Sequence, residues 1–149
     1  MGKNDGCIIN SLKRNTMEIY ISEEDVLRNI QNKFHEVYPY LKLECYLCPH
    51  DQGEGSANNK KLPGDTPIEE IRLIHSFGWI DISEHRTVAE VERDFYRDMG
   101  LAIQIFRRFR NGWLQTTRTD GLSLGEQNRM GKEGLIAGTA KEAPVQSAD

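Results

Sequence analysis

The strongest constraint on this chain is that its sequence states one pattern twice. Ile19-Tyr20-Ile21-Ser22-Glu23 returns as Ile80-Asp81-Ile82-Ser83-Glu84. Ile30 and Phe34 return at the same offset as Val91 and Phe95. After a small gap, Leu41, Leu43 and Cys45 return as Leu101, Ile103 and Ile105. Each copy reads strand, helix, strand, because its apolar period is two, then 3.6, then two. Any amphipathic unit of this kind repeats apolar residues, so the likeness constrains the architecture whatever its origin. Two such units joined by a connector suit an α+β fold: a ferredoxin-like βαββαβ sandwich, one sheet with helices on one face. A β-grasp-like arrangement is the alternative.

Local signals place the elements. Ser22 stands before Glu23, Glu24 and Asp25 as a helix cap with acids in the first turn. Val26, Ile30, Phe34 and Val37 share one helical face, and Pro39 ends that helix. A long loop runs from Pro49 to Asp65, and Thr66-Pro67-Ile68-Glu69 starts a short helix that Gly78 ends. Thr87-Val88-Ala89-Glu90 is a capping box before the apolar stripe Val88, Val91, Phe95 and Met99, with Gly100 as terminator. Asn111-Gly112 signals a hairpin into an added strand, Trp113 to Thr119, and Ser123 with Glu126 caps a short last helix. The resulting organisation is a disordered lead over 1–16, a single α+β domain over 17–133 and a disordered tail over 134–149. Met17 opens the first regular segment and is a candidate start of translation.

The chain has 149 residues, enough for one domain with a core that needs no disulfide or metal. Charged residues make up 28% and hydrophobic ones 38%, which excludes a disordered chain. The net charge of −4 argues against a protein dominated by phosphate contacts. The apolar runs are too short to span a bilayer, so no membrane partner is expected. The 3 cysteines are too few for a disulfide framework, so the expected compartment is the cytoplasm, with reduced thiols.

The segments Leu114-Gln115-Thr116-Thr117-Arg118-Thr119-Asp120 and Leu124-Gly125-Glu126-Gln127-Asn128 resemble an uncharacterised family of small bacterial proteins. Pro49-His50, Gly53-Glu54-Gly55-Ser56 and Thr87-Val88-Ala89-Glu90-Val91 belong to the same resemblance, which covers roughly 17–131. It implies a folded unit with those boundaries and no activity.

The motifs that could carry chemistry are weak. Gly121-Leu122-Ser123-Leu124-Gly125 has the spacing of a nucleophile elbow, but no histidine follows it, and Ser123 already serves as a cap. Cys45, Cys48 and His50 offer three metal ligands, with His75 or Cys7 as a fourth. On a strand, however, Cys45 and Cys48 point to opposite faces. The glycines and lysines of 53–61 lack the Gly-Lys-Ser/Thr ending of a phosphate cradle. No cofactor is expected.

What stands out is one sheet face. Alternation assigns it Glu18 and Tyr20, then Lys42, Glu44 and Tyr46, then Gln104, Phe106 and Arg108, then Trp113, Gln115 and Thr117. Arg110 and Arg118 lie nearby. Three roles fit this set. The C-terminal helix could cover it as a second small core. It could dock a protein partner or a second copy, since aromatics and arginine concentrate at interface centres. It could stack single-stranded nucleic acid, although no RNP-type segment is present. The expectation is a non-enzymatic interaction or self-associating module using Tyr20, Tyr46, Phe106, Arg108, Arg110 and Trp113. Nucleic-acid binding and a Cys45/Cys48/His50 metal site are the alternatives.

Overall fold

Alternation of buried and exposed residues produces β1 (Glu18–Ile21), with Ile19 and Ile21 buried beneath Glu18 and Tyr20. A turn leads into α1 (Leu27–Val37), which buries Leu27, Ile30 and Phe34. β2 (Leu41–Tyr46) buries Leu41, Leu43 and Cys45. A short α2 (Ile68–Ile71) closes the first copy, and Ile68 is buried. The second copy follows with β3 (Gly78–Asp81), α3 (Val88–Met99), β4 (Ala102–Phe109), the added β5 (Gly112–Gln115), a 3₁₀ turn (Thr117–Thr119) and α4 (Leu124–Ala140). The computed structural model describes residues 17–47, 60–71 and 77–140, without the side chains of 135–140.

The fold is α+β, as the pattern requires, but its strands do not share one layer. β1 pairs antiparallel with β3 in a two-stranded ribbon, and β2, β4 and β5 form a separate sheet in the order β2-β4-β5. A ferredoxin-like sandwich would put the four repeat strands in one antiparallel sheet in the order β4-β1-β3-β2. β1 and β3 do pair antiparallel here, but β2 and β4 pair with each other instead of flanking them, so neither that sheet nor a single β-grasp sheet describes these ladders. The reason lies in α1 and α3. Each packs against both strands of its own copy and holds them apart, so each strand finds its partner in the other copy. A single core then fills the space between ribbon, sheet and helices. It runs from Ile19, Ile21 and Ile80 through Phe34 and Phe95 to Leu43, Ile103 and Ile105.

The repeat is also written in the loops. The N–H groups of Leu27 and Arg28 donate to the carbonyls of Thr66 and Gly64, and those of Val88 and Ala89 donate to Leu122 and Asp120. In return Ile68 N–H donates to Asp25 and Leu124 N–H to Arg86. The turn before each closing helix therefore covers the open N-terminus of the long helix in its own copy. This explains why α1 has no side-chain cap: backbone carbonyls occupy the donors. Ser22 does not cap it. Its N–H bonds to the Asp25 carboxylate at 2.8 Å, which makes a turn, and the helix begins later than the acids suggest. α3 does carry the expected Thr87–Glu90 capping box and a left-handed Gly100 at its end.

Other boundaries move for local reasons. The hairpin closes over Arg110 and Asn111, one residue before the expected turn, with Phe109 opposite Gly112 and Arg110 at φ 56. The ladder to β4 ends at Thr116, whose N–H and hydroxyl both donate to the Ile105 carbonyl before the 3₁₀ turn carries the chain away. Gly78 starts β3 rather than ending a helix. α4 continues to Ala140, so the boundary expected at Gly134 falls inside it. Its glycines let it approach closely. A Cβ at Gly131 would lie 2.8 Å from the Tyr40 carbonyl oxygen, and one at Gly134 would lie 3.2 Å from the Phe109 ring.

Gly131→Ala is therefore expected to destabilise the fold by about 1–3 kcal/mol in urea denaturation, because a backbone clash outweighs the roughly 1 kcal/mol gain in helix propensity. Gly121→Ala, where nothing lies within 4 Å of the new methyl, should stay within about 0.5 kcal/mol of the parent.

Candidate interaction surfaces

Register and alternation place the expected residues of β2, β4 and β5 on one face of their sheet. Lys42 stands opposite Phe106, Glu44 opposite Gln104, Tyr46 opposite Ala102, Phe106 opposite Gln115 and Arg108 opposite Trp113. The Trp113 ring reaches back over β4 toward β2. The Lys42 Nζ lies 5.0 Å from its centroid, the Arg108 Cζ 5.1 Å, and the His35 ring 6.4 Å. Lys42 also stands 5.4 Å from the Phe106 ring and 3.2 Å from the Glu44 carboxylate. Phe106, Arg108 and Trp113 therefore come together as expected, but they are half-buried and mutually engaged. Each cation–ring contact is worth roughly 0.5–2 kcal/mol, which makes this cluster a packing device.

The remaining expected site residues go elsewhere. Tyr46 is buried at the far end of the face, and its phenol is pushed up to about 12, by burial first and the Glu44 charge second. Arg110 sits at the hairpin turn with its guanidinium 5.2 Å from the Phe109 ring. Cys45 points into the core, and burial pushes its thiol up to about 12, so it faces away from any ligand position at the surface. Cys48 and His50 lie outside the described residues. Among the described residues no group of three or more His, Cys, Asp or Glu side chains could hold a metal ion. Ser123 accepts the Glu126 N–H at 3.1 Å, as its capping role requires.

The centre of this face is polar. Gln31 of α1 donates to the Leu43 carbonyl at 2.9 Å and to Glu44 at 3.2 Å. In the second copy the roles are exchanged. Glu92 of α3 accepts the Ile105 N–H at 2.9 Å and the Gln104 amide at 3.4 Å. The Glu92 carboxyl fills the position beside β4 that β5 vacates when it turns away. Burial raises its pKa to about 8, partly offset by the Ile105 N–H and reinforced by the Asp120 charge.

Tyr20 belongs to a second surface. It lies on the outer face of the β1–β3 ribbon opposite Trp79, and the two rings meet edge to face at 5.0 Å. The Ile82 N–H donates to the Met17 carbonyl, so alternation makes Tyr20–Trp79 a non-hydrogen-bonded pair, the kind that brings side chains closest. Trp79 is 61% exposed, Phe77 62% and Tyr20 36%. Glu18 and Asp81 complete this face as the neighbouring cross-strand pair. The sequence signals do not reveal Trp79 and Phe77, because a glycine after a helical stretch reads as a helix end, whereas Gly78 begins a strand. A strand beginning at Gly78 puts Trp79 in phase with Tyr20.

No protein-family model, curated protein or solved structure matches the chain. No helix among the described residues is long and apolar enough to cross a membrane.

The raised Glu92 gives a signed pH effect. Folded Glu92 keeps its proton up to about pH 8, whereas unfolded it releases it near 4.5, so its contribution favours folding at low pH and is lost as pH rises through that window. Glu92→Gln keeps an acceptor for Ile105 and removes the slope. It should be more stable than the parent at pH 9 by on the order of 1–3 kcal/mol and close to it at pH 5, as read by denaturation at the two pH values.

Proposed function

We propose that this protein is a non-enzymatic binding module whose contact surface is the outer face of the β1–β3 ribbon. One observation carries the reading: Trp79 and Phe77 stand more than half exposed, with Tyr20 packed on Trp79. Exposed aromatics in contact with one another mark protein contact surfaces, and tryptophan and tyrosine are enriched at their centres. The partner is a protein segment bearing lysine or arginine. The face carries two rings at one end and the Glu18 and Asp81 carboxylates at the other, so a cation laid along it meets a ring and then an acid. Lys33 is held at the ribbon edge, where its Nζ donates to the Tyr20 carbonyl at 3.1 Å, and Arg86 is held at the other end, where its guanidinium donates to the Asp81 carbonyl at 3.2 Å and to the Asp94 carboxylate at 2.7 Å. A cytoplasmic location belongs to the same proposal.

The expected nucleic-acid surface has less support. Its lysine and arginine are engaged with Phe106, Trp113 and Glu44, and phosphate would have to compete with those contacts.

The test is a titration of the full chain with matched extended peptides, one lysine-rich and one glutamate-rich, and with a short single-stranded RNA. Binding of the lysine peptide, weakened tenfold or more by Trp79→Ala and by Tyr20→Ala but unchanged by Trp113→Phe, is the expected result. Equal binding by the parent and Trp79→Ala overturns the reading. So does RNA binding that survives Trp79→Ala and is lost in Arg108→Ala.

A further inference from the structure

We infer that this chain is a fused pair of like units, and that the surface between its halves is a dimer interface which a second copy of the chain can enter by exchanging halves. Both ladders carry the signature. In the ribbon, Ile19 stands opposite Ile80, its own counterpart in the repeat. In the larger sheet, Glu44 stands opposite Gln104. These two are counterparts as well, since the repeat aligns Leu43 with Ile103 and Cys45 with Ile105. An antiparallel ladder centred on equivalent residues is what a two-fold axis generates when two copies of one unit meet isologously. The rest of each unit repeats in kind. The Leu62 N–H donates to Cys45 as the Thr116 N–H donates to Ile105, and Asp25 closes its turn on Ser22 as Arg86 closes on Ser83. The helix-covering bonds from Thr66 and Gly64 recur from Leu122 and Asp120.

The residues on the axis say which half each one accepts. Two first halves meeting this way would place Glu44 opposite Glu44, and like charges directly opposite on a sheet destabilise it. A first half meeting a second half places an acid opposite an amide. Each is then matched again on its own helix, Glu44 by the Gln31 amide and Gln104 by the Glu92 carboxyl. The complement to the first half is therefore the second half, whichever chain supplies it. Further bonds across the same boundary are equally indifferent to chain: the Tyr38 hydroxyl donates to the Ile82 carbonyl at 2.6 Å, and the Tyr40 N–H to Asn128 at 2.9 Å.

The experiment uses the full chain with a protease site inserted between Ile71 and Phe77, checked first for an unchanged melting transition. Cleaved without denaturant, it should keep the mass and near-ultraviolet circular dichroism of the intact protein. Unfolded in urea, mixed with an equal amount of cleaved ¹⁵N-labelled chain and refolded, it should give first-half/second-half pairs in the four label combinations at near-equal abundance by native mass spectrometry. In the same experiment Glu44→Gln should raise the fraction of first-half self-pairs several-fold. Cleaved halves that separate as independently folded monomers overturn the inference, as do halves that refold without reassembling. First-half self-pairs as abundant as mixed pairs in the parent, or a self-pair fraction that Glu44→Gln leaves unchanged, overturn it too.

Discussion

The structure depends on strands pairing with their own counterparts. Ile19 against Ile80 closes the ribbon, and Glu44 against Gln104 centres the sheet. Once those pairings exist, α1 and α3 must flank a shared space, because each connects a ribbon strand to a sheet strand within its own copy. That space is the core, and the apolar stripes of both helices face it: Ile30 and Phe34 from one, Val91 and Phe95 from the other. Separating the two ladders would leave neither copy with a covered apolar face, so each copy has no core of its own.

The long helices then need their exposed amide groups satisfied, and the fold does this with backbone. The turns at 64–66 and 120–122 lay carbonyls over the starts of α1 and α3. This arrangement ties α2 and α4 to the starts of α1 and α3 without demanding particular side chains, which is why it survives where the sequences of the two turns differ. It also explains α4. Held at its start by Leu124 in the core and by the Gln127 side chain, whose Oε1 accepts from Arg107 at 2.8 Å, the helix must run along β4. Gly131 and Gly134 permit the close approach that follows. Gly134, which the small-residue composition assigns to a mobile tail, thus lies inside a helix and packs against Phe109.

Much of this was legible in residue order. Alternation puts Lys42, Glu44, Tyr46, Gln104, Phe106, Arg108, Trp113 and Gln115 on one face, while Thr117, expected there too, falls in the 3₁₀ turn. The Thr87–Glu90 capping box and Gly100 mark α3 correctly, because these are local signals with local causes. Strand partnership was not legible. The period of a strand says which face is apolar and nothing about whose edge it meets, so two copies of strand–helix–strand fit one sheet or two equally well. The candidate site was missed for the same reason on a smaller scale. Alternation puts Tyr20 outward, but its cross-strand partner Trp79 stands on β3, a strand absent from the face that alternation groups from β1, β2, β4 and β5. With the Gly78 boundary misread, Trp79 had no phase.

Two aromatic clusters with similar composition thus take opposite roles, and their neighbours decide which. Trp113 is bracketed by Lys42 and Arg108 from its own sheet, so the attraction a tryptophan can offer a cation is already used. Trp79 meets the edge of Tyr20 and is exposed over most of its surface. The repeat sharpens the contrast. The counterpart of Trp79 in the first copy is Glu18, and the counterpart of Tyr20 in the second is Asp81. Positions that both copies keep alike, such as Ile19 and Ile80, hold the ladder. On the ribbon the positions where the copies differ assemble rings beside carboxylates on its outer face. In a duplicated scaffold the departures from symmetry are where a partner can be told apart from the protein's own other half, and the ribbon carries several of them on a face that the core does not use.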